Sequence, residues 1–191
     1  MSKEKSKNEF EVDYKIVNIV ATVSLKVTEK LDLTHIARKL IDVEYNPERF
    51  PGLIMRIEKP HATILMFSTG KMVLTGMRNT SEAERVVSKV VKNIKKAGIK
   101  VSDPEITIVN IVASGDLHVR VDLNMATIVL EHVMYEPEVF PGLIYKMHEP
   151  SVTFLIFSPG KFVCLGAKNK EIIKEAVLKL NHQVRELNLN L

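Results

Sequence analysis

Cysteine and long apolar runs are scarce in this chain of 191 residues. The single cysteine, Cys164, excludes a disulfide framework and a cysteine-based metal site, and it fits an intracellular protein. No apolar stretch approaches the roughly 20 residues that a membrane-spanning helix requires. The first residues lack the apolar core of a signal peptide, so residues 1–13 are predicted to form a solvated tail. The hydrophobic fraction of 46% excludes a disordered chain.

Positive charge is in small excess. The net charge of +4 and the isoelectric point of about 9.1 allow a polyanionic partner without establishing one. The charge is uneven, because residues 1–105 carry 19 basic and 14 acidic side chains, whereas residues 106–191 carry 8 and 9. Two halves that face different partners would explain this difference, and so would drift of solvated surfaces.

An internal repeat organises the chain. Residues 45–77 match residues 135–167 at an offset of 90, with 17 identities in 33 positions and no gap. Each copy holds a Phe-Pro-Gly-Leu-Ile segment and a Phe-Ser-x-Gly-Lys hairpin. A shorter match, Asn-Ile-Val-Ala from Asn18 and from Asn110, has an offset of 92. Two copies are too few for a solenoid and favour a pseudo-two-fold pair.

Each copy is predicted to hold a strand, a short helix, three strands and a long helix. In the first copy the strands are Tyr14–Leu25, Leu53–Glu58, Ala62–Phe67 and Lys71–Gly76, and the short helix is Asp32–Leu40. The long helix is predicted to begin at Ser81 with Glu84 as its capping box and to end at Gly98. Tight turns between strands predict an antiparallel sheet of the α+β class.

The sheet has two apolar faces. Alternation places Ile64, Met66, Met72 and Leu74 on one face and Leu65, Phe67, Val73 and Thr75 on the other. The second copy likewise sets Phe154, Ile156, Phe162 and Cys164 against Leu155, Phe157, Val163 and Leu165. The long helices can cover one face. The other is a binding surface, or it is buried by stacking of the repeats or by dimerisation.

Asn18 and Asn110 occupy equivalent positions inside apolar strands. A buried Asn needs hydrogen-bond partners, and one such Asn could satisfy the backbone. Two at symmetric positions suggest a two-fold-related ligand, because Asn can donate to the N3 of adenine and the O2 of thymine in a minor groove.

These motifs resemble the TATA-binding protein family, general transcription factors of archaea and eukaryotes, and the archaeal members most. The resemblance covers about residues 14–187. It implies a pseudo-symmetric saddle with repeats 14–105 and 106–191, in which a curved ten-stranded antiparallel sheet carries four helices on its convex face. It implies a protein that binds the minor groove of the TATA box as a monomer, kinks the DNA, and recruits transcription factor B and RNA polymerase. Weak dimerisation of the free protein is a further expectation.

The resemblance also implies site residues. Those that wedge between DNA bases are Phe50, Phe67, Phe140 and Phe157. Those that contact the minor groove are Asn18, Val20, Leu65, Val73, Thr75, Asn110, Val112, Leu155, Val163 and Leu165. Those that contact phosphates are Arg49, Arg56, Lys71, Lys146 and Lys161. Leu165 stands where the family has a threonine, and Val139 stands where the first repeat has the basic Arg49, so the two halves are expected to differ in their DNA contacts.

Glu136, Glu138 and Val139 are expected to bind transcription factor B through basic residues of that partner.

No enzyme activity, cofactor, metal or membrane is expected, because the sequence holds no histidine pair with metal-ligand spacing and no nucleophile motif. The expected location is the archaeal cytoplasm with the nucleoid, or the nucleus in a eukaryote. The basic side chains of residues 85–96 are predicted to be solvated, or to meet another factor or flanking DNA. The remaining alternative is a duplicated α+β module that binds a protein or small ligand through the same face.

Overall fold

The computed structural model describes residues 12–102 and 104–191. The first repeat contains β1 (Asp13–Ser24), α1 (Leu33–Lys39), β2 (Val43–Glu44), β3 (Leu53–Ile57), β4 (Ala62–Met66), β5 (Lys71–Met77) and α2 (Thr80–Lys96). The second contains β6 (Glu105–Asp116), α3 (Leu123–Val129), β7 (Val133–Met134), β8 (Leu143–Met147), β9 (Val152–Ile156), β10 (Lys161–Ala167) and α4 (Lys170–Glu186). Most of the predicted tail lies outside the described residues, and its last residue, Asp13, opens β1.

The ten strands form an antiparallel sheet in the order β2-β3-β4-β5-β1-β6-β10-β9-β8-β7. This confirms the α+β class, the ten-stranded sheet and the four helices. The chain divides into two compact units, residues 16–111 and residues 112–191, the second of which also takes the start of β1. The repeat boundary between residues 105 and 106 stays a prediction.

One face of each half-sheet is buried under its long helix. In the first repeat α2 packs against β5, and Ile64, Met66, Met72 and Leu74 are at most 1% exposed. In the second repeat α4 packs against β10 and covers the equivalent set of Phe154, Ile156, Phe162 and Cys164. The predicted core face is therefore confirmed, and burial of these apolar side chains is its main stabilising term.

The start of the long helix in the first repeat differs from the prediction. The N-cap is Asn79, not Ser81, and Glu82, not Glu84, completes the capping box. The Glu82 carboxylate accepts a hydrogen bond from the Asn79 backbone N–H at 3.2 Å. Asn is as good an N-cap as Ser, so two candidate caps two residues apart could not be separated by residue type. The predicted end of the helix at Gly98 is confirmed, since Ala97 is the C-cap.

Two short strands escaped the sequence prediction. β2 and β7 hold two residues each, and β2 pairs with β3 through Val43–Met55 and Glu44–Ile54. A two-residue strand has no alternation to detect, which is why the pattern predicted four strands per repeat and the structure has five.

Candidate nucleic-acid interface

The second face of each half-sheet remains partly open. In the first repeat Ile54, Leu65 and Val73 are cross-strand neighbours on β3, β4 and β5, and each is half-buried. In the second repeat Ile144, Leu155 and Val163 repeat this row. Across the described residues the helices cover only the opposite face, so each half-sheet presents an apolar row to its surroundings. The sequence predicted such a row in both copies.

The other predicted minor-groove residues lie on the same strands. Those that are half-buried are Asn18, Val20, Thr75, Asn110, Val112 and Leu165. In the first repeat Thr75 is opposite Thr63 on β4, and in the second Leu165 is opposite Thr153 on β9. The strand register is thus the same in both repeats, and the difference at Thr75 and Leu165 is one of side chain alone.

Asn18 makes hydrogen bonds within the first repeat. Its Oδ1 accepts from the Gly76 backbone N–H at 2.8 Å, and its Nδ2 donates to Thr75 Oγ1 at 3.2 Å. The backbone bond explains how a strand with apolar neighbours tolerates this side chain. An amide nitrogen carries two hydrogens, so one contact to Thr75 leaves Asn18 a donor for a ligand. Satisfying the backbone and binding a ligand are therefore compatible roles.

Two phenylalanine pairs stand beside these apolar rows. The ring centroids of Phe50 and Phe67 are 5.9 Å apart at an angle of 63°, and those of Phe140 and Phe157 are 5.8 Å apart at 66°. All four rings are half-buried, unlike Phe154 and Phe162 of the core. The near-identical geometry shows that both repeats build the same edge-to-face pair.

A glycine beneath each pair makes room for the rings. A Cβ at Gly52 would lie 2.6 Å from Phe50 Cε1 and 3.1 Å from Phe67 Cε1. A Cβ at Gly142 would lie 2.7 Å from Phe140 Cε1 and 2.9 Å from Phe157 Cε1. These distances are shorter than the 3.5–4.0 Å of an ordinary carbon–carbon contact. The glycine of the Phe-Pro-Gly segment is thus required by close approach of the rings to the backbone.

The predicted phosphate-binding side chains are all exposed, but they differ in their partners. Arg56 lies 3.5 Å from the Glu44 carboxylate in an ion pair that water largely screens. Lys161 Nζ lies 2.7 Å from Asp116 Oδ2. Sequence reasoning missed Asp116, because a single acidic residue at the end of a strand carries no periodic signal.

The comparisons with known proteins agree with this geometry. The family model described as transcription factor TFIID (or TATA-binding protein, TBP) matches residues 13–97 and again residues 105–187. The chain belongs to the TATA-binding protein family. It is 52% identical over 177 residues to a TATA-box-binding protein of Pyrobaculum aerophilum, covering 92% of this chain and 88% of that one. A TATA-box-binding protein of Sulfolobus acidocaldarius is 49% identical over 183 residues, covering 93% and 92%.

A solved structure supports the same assignment. Methanococcus jannaschii TBP is 40% identical and superposes with a TM-score of 0.83, covering 91% of this chain and 99% of that chain. Members of the TATA-binding protein family are DNA-binding transcription factors. The predicted resemblance, including the archaeal character of the relatives, is therefore confirmed.

The loop before Phe140 is the place where the family resemblance predicts a protein contact. Val139 and Phe140 both donate their backbone N–H groups to Glu136 O at 2.9 Å, which closes a tight turn. Glu136 and Glu138 are exposed, and Val139 is 81% exposed. The equivalent turn in the first repeat, closed by Asn46 O, carries Arg49 in place of Val139.

Two further groups bear on other chemistry. Cys164 is fully buried, and burial raises the pKa of its thiol to about 12, so at neutral pH the thiol stays protonated and is a poor nucleophile. Within residues 12–102 and 104–191, no three His, Cys, Asp or Glu side chains are grouped so as to hold a metal ion. In the same ranges no helix is both long and apolar enough to cross a membrane.

Proposed function

We propose that this member of the TATA-binding protein family binds the minor groove of TATA-box DNA through the open face of its sheet. In this proposal the protein kinks the duplex with its phenylalanine pairs and recruits transcription factor B and RNA polymerase. The observation that carries the proposal is the pair of half-exposed, edge-to-face phenylalanines, each seated over a glycine and built the same way in both repeats. Four core aromatics would be buried, as Phe154 and Phe162 are.

The apolar rows suit a minor groove. A·T pairs show only acceptors there, so a surface of Val and Leu with sparse donors such as Asn18 can fit it without many unpaired polar groups. Phe50 and Phe67 would enter one kinked base step, and Phe140 and Phe157 another. Unstacking two base pairs costs a few kcal/mol per step, a general value for minor-groove proteins that insert apolar side chains, of which TATA-binding proteins are a standard example. Flexible TA steps lower that cost, so deformability contributes to sequence choice.

Basic side chains beside the open face would hold the DNA backbone. The proposed phosphate contacts are Arg49, Arg56, Lys71, Lys146 and Lys161, all of which are exposed. Such contacts position the protein on the duplex without reading its sequence, and each makes binding more sensitive to salt. The minor-groove residues and the phosphate residues should therefore be separable by experiment.

The second repeat supplies the proposed protein contact. Glu136 and Glu138 offer two carboxylates on a hydrogen-bonded turn, and Val139 adds an exposed apolar side chain between them and Phe140. Acidic groups around an apolar contact suit a basic surface of transcription factor B. RNA polymerase would then join through that factor.

Gel mobility of circularly permuted TATA probes tests the DNA-binding proposal. The wild-type protein should bend the duplex strongly, and Phe67→Ala or Phe157→Ala should reduce the bend angle because one ring of a pair is lost. The matched control is Lys71→Ala, which should lower the salt dependence of binding and leave the bend angle unchanged. Failure of the wild-type protein to bind or bend TATA duplex refutes the proposal. If the phenylalanine variants alter only the salt dependence, the wedge role is wrong.

A further inference from the structure

In the second repeat, the lysine of the Phe-Ser-x-Gly-Lys hairpin forms an ion pair. Lys161 Nζ lies 2.7 Å from Asp116 Oδ2, and the two side chains are 67% and 24% exposed. Lys161 opens β10 next to the hairpin that follows Phe157, and Asp116 is the last residue of β6. Both line a depression that also includes Phe157 and Val163 of the open face. The pair therefore lies where the proposed DNA backbone would pass.

The Asp116 carboxylate is fixed in place. Its Oδ1 accepts from the His118 backbone N–H at 2.9 Å, while Oδ2 is the atom that meets Lys161. His118 itself is anchored, since its Nε2 lies 2.9 Å from Asp13 Oδ2. The hydrogen bond from Lys161 is the main cause that lowers the pKa of Asp116, and the His118 bond adds to it. Asp116 is consequently charged at any pH near neutrality.

The first repeat has no such pair at the same place. Lys71 is the equivalent of Lys161, and its in-register neighbour on β1 is Ser24, the equivalent of Asp116. Among the residues that the structure describes, Lys71 has no carboxylate within 4.0 Å. Glu105 lines the depression beside Phe67 and Lys71 without reaching that distance. The two hairpin lysines therefore share a backbone position and differ in electrostatic state.

We propose that Asp116 restrains Lys161 from binding DNA phosphate, so that the hairpin lysine of the first repeat, Lys71, holds the DNA backbone more strongly than its second-repeat equivalent. A phosphate that approaches Lys161 must displace a carboxylate already 2.7 Å from the ammonium, and that carboxylate then repels it. A lysine neutralised by its own protein also releases fewer counterions on binding. Asp116 is thus a residue that sets the relative phosphate affinity of the two hairpin lysines. This inference rests on the proposed function.

Salt titrations of a fluorescent TATA duplex test the inference. The plot of log K against log salt has a slope of about −0.9 per phosphate contact. Lys71→Ala should therefore weaken the slope by about 0.9, and Lys161→Ala by less than half as much. Asp116→Ser should steepen the slope by about 0.5 to 0.9 and tighten binding roughly 3- to 10-fold at 0.1 M salt. The reciprocal variant Ser24→Asp places a carboxylate beside Lys71, so it should weaken the slope of the protein toward that of Lys71→Ala.

Two controls separate this effect from general charge. Glu131→Ser removes the same charge from an exposed position of the second repeat without touching Asp116, His118 or Lys161, so it should keep the wild-type slope. The double variant Asp116→Ser with Lys161→Ala should return to the slope of Lys161→Ala alone. The inference is overturned if Asp116→Ser tightens binding equally in the wild type and in Lys161→Ala. It is also overturned if Lys71→Ala and Lys161→Ala weaken the slope equally in a protein whose wild type prefers TATA duplex. A wild type that shows no preference over a duplex without TATA refutes the proposed function itself.

Discussion

The glycine beneath the second phenylalanine pair offers a test of wedge positioning that is independent of the rings themselves. An alanine Cβ at Gly142 would lie 2.7 Å from Phe140 Cε1 and 2.9 Å from Phe157 Cε1. Each ring edge must recede by about 0.6–0.8 Å to reach an ordinary contact of about 3.5 Å. The φ of Gly142 lies outside the left-handed region, so the backbone accepts alanine. The variant therefore displaces the rings without straining the turn.

We expect Gly142→Ala to change stability little and DNA binding more. Loss of glycine stabilises by about 0.4–1 kcal/mol through the unfolded chain, and ring displacement offsets that gain because the half-buried rings can move toward the open face. Displaced wedges should lower TATA affinity about 5- to 10-fold, equivalent to about 1–1.4 kcal/mol, and reduce the bend angle. The measurements are thermal unfolding and gel mobility of circularly permuted probes.

Gly98→Ala is the opposite control. A Cβ there meets no atom within 4 Å, but the φ of +85° is strained for alanine. It should therefore cost about 1 kcal/mol of stability and leave DNA bending unchanged. Wild-type binding and bending of DNA by Gly142→Ala would refute the positioning role of this glycine. So would a loss of about 3 kcal/mol or more of stability, which would make Gly142 a folding residue.

Two more predictions concern Cys164 and the acidic loop. Because burial raises the pKa of the Cys164 thiol from 9.0 to about 12, its stabilising contribution should be complete below pH 9 and decline between pH 9 and pH 12. Denaturant unfolding should show this decline in the wild type and not in Cys164→Ala, and rapid thiol labelling of the native protein at pH 8 would contradict it. Glu136→Lys with Glu138→Lys should keep TATA affinity within about 2-fold, a change near 0.4 kcal/mol, and abolish the complex with transcription factor B. Glu48→Lys, the first-repeat equivalent of Glu138→Lys, should leave that complex intact, and equal loss in both would refute the assignment.

Most of the architecture could be predicted from the sequence, because the internal repeat presents each sequence pattern twice. The hairpins around Ser68 and Ser158 and the two-faced strands were visible twice, and the structure confirms them. The prediction that was wrong concerns the start of one helix, α2. Asn79 and Ser81 are both good helix caps, and only the backbone path decides between them.

The missed features of the site depend on contacts between residues far apart in the chain. Asn18 meets Gly76 across two strands, 58 residues away, and Lys161 meets Asp116 across 45. Neither contact follows from spacing, because a strand register must be known before its cross-strand neighbours can be named. Sequence reasoning could therefore place the candidate surface and could not determine which of its polar groups already have partners.

The differences between the repeats matter because the proposed ligand is nearly symmetric. A·T and T·A present almost the same acceptors in the minor groove, so direct readout sets orientation poorly. The two halves have the same strand register and the same geometry of their phenylalanine pairs. Direction must then come from paired positions with unlike side chains: Ser24 and Asp116, Arg49 and Val139, and Thr75 and Leu165. In each pair the first repeat carries the group better suited to DNA, and under the proposed function this leaves the second repeat freer to bind a protein partner.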